Sequence, residues 1–165
     1  MPKVLIADKM SPRAEEIFKK RGIDVDVING LQRDELIKII GEYDGMAVRS
    51  STKATPPVLE AAGNMKVIGR AGIGVDNIDL PTATAKGVVV MNTPFGNSIT
   101  TAEHTIAMMF ALARDIPAAD ASTQAGKWEK SRFMGVELTN KVLGIIGCGN
   151  IGTTVSYTHL TLPTK

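Results

Sequence analysis

The chain has 165 residues, 44% of them hydrophobic and 22% charged, with a formal net charge of +2. That is enough chain to bury a core, and its charge is too balanced to suggest a nucleic-acid partner. No apolar run approaches the ~20 residues of a membrane span, MPKVLIAD carries no signal-peptide pattern, and Cys148 is the single cysteine, so a reducing cytoplasm is the expected setting.

Short apolar runs then recur along the chain: VLIA from Val4, VDVI from Val25, MAV from Met46, VIG from Val67 and VVVM from Val88, their starts 21 residues apart. The intervals carry no residue-level repeat, so 21 residues is the length of a strand–helix–strand step. Helix signals fill the gaps. Ser11-Pro12 opens AEEIFKKRG, Asp34 precedes ELIKIIGEY, Thr55-Pro56-Pro57 opens VLEAAG, and Asp79 precedes LPTATAKG. Each puts a capping oxygen or a proline at the first turn. Five strands alternating with helices predict an α/β lobe with a parallel, flavodoxin-like sheet, spanning Met1 to about Met91.

Ligands of such sheets bind beyond the carboxyl ends of the strands. The third run ends in Arg49-Ser50-Ser51, the fourth in Gly69-Arg70-Ala71-Gly72-Ile73-Gly74, and the fifth in Asn92-Thr93-Pro94. Two guanidinium forks and a glycine-rich loop with free N–H groups describe an anion site. The alternative is that both arginines pair with local carboxylates such as Asp44 or Asp76 and that the glycines only make a tight connection. A receiver-like module would need an acceptor aspartate after the third strand, where Arg49-Ser50 stands.

From Asn97 the pattern becomes helical. NSITTAEHTIAMMFALARDI has apolar residues at 99, 102, 106, 109, 110, 112 and 113, and Thr100 with Glu103 has the spacing of a capping box, which predicts a largely buried helix starting near 98–100. His104 on that helix reads as a structural hydrogen-bonder rather than a general base. The stretch RDIPAADASTQAGKWEKSRFMGVELTN reads as loop, and its Lys127, Lys130 and Arg132 are offset by Glu129 and Glu137. KVLGIIGCGNIG, Lys141 to Gly152, then reads as a buried strand entering a complete G-x-G-x-x-G turn. In a dinucleotide-binding unit Gly147 makes the turn, Gly149 admits a pyrophosphate, and Gly152 lets the helix close on the strand. Only 13 residues follow Gly152, too few for the helix, second strand and acidic residue of a whole unit. Ser156 to Lys165, SYTHLTLPTK, resembles an adapter-derived read-through tail with poor helix formers, and is expected to be no part of the fold.

Five ordered segments carry a family resemblance: VRSSTKAT, KVIGRAGIGVDNIDL, VVVMNTPFGNSITTAEHTIAMMFALAR, GKWEKSRFMGVEL and KVLGIIGCGNIG. Together they resemble the D-isomer-specific 2-hydroxyacid dehydrogenases over Met1 to about Val155. The resemblance implies a substrate-binding lobe (1–92), the truncated start of an NAD-binding Rossmann lobe (93–155) and a tail (156–165). It implies oxidation of a 2-hydroxy acid by NAD, and a homo-oligomer formed through the helix near Thr100 to Arg114 and the arm after it. Arg49, Ser50 and Arg70 fall at positions that contact the substrate's anionic groups, Ala71, Gly72, Ile73 and Gly74 in the loop that binds its carboxylate, and Lys130 at a basic position reaching a neighbouring subunit's site. Ile73, Gly147, Gly149, Asn150, Ile151 and Gly152 fall at cofactor positions. The family's catalytic Arg, Glu and His have no counterpart in these motifs. No metal and no membrane or nucleic-acid partner is implied. The substrate stays open between 3-phosphoglycerate, whose phosphate suits more than one basic residue, and glyoxylate, hydroxypyruvate or lactate; NAD and NADP are not separated either.

Overall fold

The computed structural model describes residues 1–158. The chain divides into two compact units, Met1–Gly96 and Asn97–Lys165. In the first, strands β1 (Lys3–Ile6), β2 (Asp24–Val27), β3 (Gly45–Val48), β4 (Val67–Arg70) and β5 (Val89–Met91) form one sheet in the order β2-β1-β3-β4-β5, every pair parallel. This is the expected α/β class and the doubly wound order in which the chain reverses direction between β1 and β3. The interior strands are mainly apolar, apart from Lys3 at the start of β1 and Arg70 at the end of β4, as a sheet covered on both faces requires. Leu5, Val48 and Ile68 from the strands meet Leu36, Ile40, Val58 and Leu59 from the helices, all fully buried.

The helices of this unit are α1 (Pro12–Lys20), α2 (Arg33–Ile39), α3 (Pro56–Ala61) and α4 (Leu80–Ala85). Two begin as their caps predict: the Ser11 hydroxyl accepts from Arg13 N–H at 3.4 Å, and Asp79 accepts from Thr82 N–H at 2.9 Å. The start of α2 differs. It begins after Gln32, whose N–H donates to Glu35 at 2.8 Å, so the reciprocal Gln32–Glu35 cap outcompetes Asp34, which lies inside the first turn.

Beneath the sheet's edge the buried Tyr43 hydroxyl donates to Asp26 at 2.8 Å, and Lys3 pairs with the same carboxylate at 2.9 Å. Burial, then the Asp26 carboxylate, pushes the phenol up to about 12 from an ordinary 10.0. A folded value above the unfolded one gives stability that is whole below pH 10 and lost as pH rises toward 12. A rise of that size corresponds to about 2–3 kcal/mol. Tyr43→Phe is therefore expected to flatten the fall in stability across that window, read by urea unfolding at fixed pH; parallel curves for the two proteins would exclude Tyr43 as the cause.

The second unit contains α5 (Ser98–Ala113), α6 (Ile116–Gln124), a 3-10 turn (Lys130–Phe133) and α7 (Asn150–Thr158), with α5 packed on α7. Several sequence expectations are corrected here. The α5 helix opens at Ser98 after Asn97, so Thr100 and Glu103 lie within it and form no capping box. Its predicted burial is not met in the single chain: Ser98, Ala102 and Ala113 are buried, while Ile99, Met108, Phe110 and Leu112 are exposed. His104 is exposed as well. The stretch read as loop contains α6, entered through Asp115 in the left-handed region at φ 53°, a conformation aspartate tolerates, with a proline in the first turn. Lys141 to Ile146 is not a strand. No neighbouring strand accepts its ladder bonds among the described residues, and Val142 and Ile146 stand in solvent. Conversely, the helix expected to be absent after the glycine turn is present as α7, which takes in Ser156, Tyr157 and Thr158 of the presumed tail; residues 159–165 lie outside the described residues.

Candidate functional site

Parallel pairing places Val48 opposite Arg70 in the β3–β4 register, so Arg49 and Arg70 leave the sheet on one rim. The two are joined: Arg70 Nε donates to the Arg49 carbonyl oxygen at 3.2 Å. The Arg70 guanidinium also pairs with Asp76 at 2.7 Å, as the local-pairing alternative anticipated, while Asp44 pairs instead with Lys66 at 2.8 Å. Asp76 is held below the usual carboxylate range by its own backbone N–H and then by Arg70. Arg49 donates to the Lys9 carbonyl at 3.3 Å and is otherwise open to solvent. It lines a cleft of about 500 Å³ together with Lys9, Met10, Ser11, Ala14 and Ala71. Ser50 lies apart from that cleft, lining an adjoining one with Lys53, Asp76 and Asn77.

The loop after β4 is partly satisfied from within. Ala71 N–H donates to Val48 and Gly72 N–H to Arg70, while the Gly72 and Ile73 carbonyls accept from Thr93 N–H and from the Asn92 amide. Among the described residues the N–H groups of Ile73 and Gly74 have no hydrogen-bond partner, so two of the four expected amides are left unpaired. A side chain at Gly74 would crowd the pairing beside it. A Cβ there would come within 2.9 Å of the Asp76 carboxylate and 3.0 Å of Arg70 Nη1.

Beneath the rim lies a residue that the sequence reading did not single out. Asp8, at the end of β1 and 5% exposed, accepts from Arg49 N–H at 2.6 Å, from Thr52 N–H at 3.1 Å and from the Thr52 hydroxyl at 2.8 Å. Burial pushes its carboxyl up, but the Thr52 hydroxyl and the backbone N–H groups of Arg49, Thr52 and Ser51 together outweigh burial, and the net direction is down. Its one sequence signal is position: an acidic residue closing the first apolar run on the same rim as Arg49.

In the second unit the glycine motif keeps its shape without its strand. Gly147 has φ +94°, a Cβ on Gly152 would collide with the Gly147 carbonyl oxygen, and Gly149 has open space where its side chain would be. Asn150 and Ile151 are the first residues of α7, where the backbone N–H groups have no partner within the helix. This turn fits a pyrophosphate, as the motif implies. Cys148 is a free, exposed thiol within it. Lys130 opens the 3-10 turn and is exposed. Among the described residues no cluster of His, Cys, Asp or Glu could hold a metal, and no helix is long and apolar enough to cross a membrane.

Comparison with known proteins agrees with this geometry. The family profile described as D-isomer specific 2-hydroxyacid dehydrogenase, catalytic domain, matches residues 4–163. A D-3-phosphoglycerate dehydrogenase of Archaeoglobus fulgidus is 51% identical over 154 residues, 93% of this chain, and the one of Homo sapiens is 49% identical over the same share. The chain spans 29% of the length of either relative. A solved NAD+-bound 3-phosphoglycerate dehydrogenase of Entamoeba histolytica aligns with TM-score 0.75 at 33% identity, over 94% of this chain and 49% of that one. This chain belongs to the D-isomer-specific 2-hydroxyacid dehydrogenases.

Proposed function

We propose that residues 1–92 are the substrate-binding lobe, and 93–155 the opening of the NAD-binding lobe, of an enzyme that oxidises D-3-phosphoglycerate to 3-phosphohydroxypyruvate, the first step of L-serine biosynthesis. The observation that carries this reading is the joined pair Arg49–Arg70 at the ends of adjacent parallel strands, beside two free loop amides. The N–H groups of Ile73 and Gly74 hold the substrate carboxylate. Arg70, oriented by Asp76, supplies a fork to the same anion, and Arg49 faces the cleft where a distal phosphate fits. Lys130 adds a positive charge to a neighbouring copy's site. Gly147, Gly149, Asn150, Ile151 and Gly152 hold the pyrophosphate of NAD, which supplies the acceptor for the hydride leaving C2. No residue of this chain is assigned the acid–base step. Residues 156–165 are assigned no role.

The assay that tests the reading uses an enzyme extended to the length of its relatives and compares NAD reduction with D-3-phosphoglycerate, D-lactate and D-glycerate. The highest kcat/KM is expected for the phosphorylated acid; equal or higher values for the others would assign the family's chemistry to a different 2-hydroxy acid. The 165-residue chain itself is proposed to be catalytically inert, because the segment that leads into its glycine turn has no strand to pair with among the described residues.

The uncovered apolar surface of α5 is assigned to a second copy of the chain. Ile99 and Phe110 stand exposed on one side of the helix and Met108 and Leu112 on the other, an unpartnered apolar surface of the kind that favours association. Sedimentation is expected to give dimers or larger species at tens of micromolar, and a well-behaved monomer at about that concentration would remove the assignment.

A further inference from the structure

The backbone of Arg49 is fixed at both of its polar atoms. Its N–H donates to the buried carboxylate of Asp8 at 2.6 Å, and its carbonyl oxygen accepts from Asn77 Nδ2 at 2.8 Å and from Arg70 Nε at 3.2 Å. Asn77, itself buried, reaches in the same way to the Thr52 carbonyl at 2.6 Å, and Thr52 returns to Asp8 through both its N–H and its hydroxyl. Asp8 and Asn77 thus both grip one short segment, Arg49 to Thr52, across 25 or more residues of sequence in each case. A buried charge is a costly way to hold a turn, since a neutral acceptor would serve a plain connection. An ionised carboxylate has acceptor sites for several N–H and O–H groups at once, and here those groups belong to the strand end that presents Arg49.

We propose that Asp8 is a positioning residue for the substrate's distal anionic group: with Asn77 it sets the backbone from which the Arg49 guanidinium enters the 500 Å³ cleft, and thereby the spacing between Arg49 and Arg70. The inference rests on the reading of Arg49 as a substrate-anion ligand. It adds that this arginine works only from a backbone held by a residue 41 positions earlier. In Asp8→Asn the side chain keeps its shape but presents an amide N–H₂ to groups that are themselves donors, so the Arg49 segment moves while the apolar core is untouched.

The test is a ³¹P-detected titration of D-3-phosphoglycerate into the 165-residue chain, with thermal unfolding measured in parallel. Asp8→Asn is expected to weaken binding about tenfold, Arg49→Ala to weaken it at least as much, and the double variant to be no weaker than Arg49→Ala alone, because the one acts through the other. If Asp8→Asn lowers the unfolding temperature but leaves binding unchanged, or if its effect adds in full to that of Arg49→Ala, Asp8 is a structural residue only and the proposal falls, while the substrate reading stands. If the unaltered chain does not bind D-3-phosphoglycerate, or Arg49→Ala binds as it does, the substrate reading itself fails and takes the proposal with it. Should Asp8→Asn not fold, Thr52→Val carries the same comparison: it removes only the hydroxyl donated to Asp8, and weakened binding that is again absent in the Arg49→Ala background is the expected result.

Discussion

Arg70→Lys is expected to lower kcat/KM for D-3-phosphoglycerate by ~1–3 kcal/mol in an enzyme of full family length, although the charge is kept. The guanidinium does three things at once. It takes the Asp76 carboxylate on Nη1, spans to the Arg49 carbonyl with Nε, and leaves its remaining N–H groups toward the rim. A lysine ammonium is a point charge that cannot hold that geometry, so one of the two internal bonds or the substrate contact is lost. The loss should appear in KM as well as kcat, and Asp76→Asn, which frees the guanidinium without removing it, should give a smaller change. Steady-state kinetics on the three proteins decides the point. If Arg70→Lys has an unchanged kcat/KM, Arg70 belongs to the local ion pair alone.

Titration calorimetry of the 165-residue chain with NADH is expected to show no binding tighter than about 1 mM, roughly −4 kcal/mol. The glycine turn and the first residues of α7 are in place. What is missing is the platform. Lys141 to Ile146 makes no ladder, and Val142 and Ile146 are exposed instead of buried in a sheet, so ordering this segment around a ligand would cost roughly 1–2 kcal/mol for each residue fixed. A measured Kd in the micromolar range would mean that a turn and one helix suffice.

The first unit was legible in the sequence because its signals are local and repeated. The interior strands read as short apolar runs, and five runs at one interval leave little choice but a parallel sheet with crossover helices. Arg49 and Arg70 could be placed on one rim for the same reason, since each directly follows or closes such a run. The failures are of two kinds. The α6 helix was missed because IPAADASTQ has almost no apolar stripe to show a period, and its start depends on a left-handed aspartate. The Lys141 strand was expected from composition, but a strand exists only when another strand pairs with it, which no local pattern contains. Asp8 escaped for a related reason: its hydrogen-bond donors lie 41 and 44 residues away, so nothing next to it in the sequence hints at a buried charge.

The position of β1 has a consequence for how the lobe is made and handled. Although it begins at the third residue, β1 lies inside the sheet, paired with β2 on one side and β3 on the other. During synthesis β1 therefore emerges before both of its partner strands and stays half-unpaired until Val48 has emerged, presenting an unpaired apolar edge for that interval. The same placement makes the segment around β1 intolerant of editing. Lys3 N–H is already tied to Asp44, so trimming even the first few residues would remove the seam between β2 and the other strands rather than fray an end. Purification tags and fluorescent fusions are better attached through a spacer ahead of Met1 than by replacing any part of MPKVLIA.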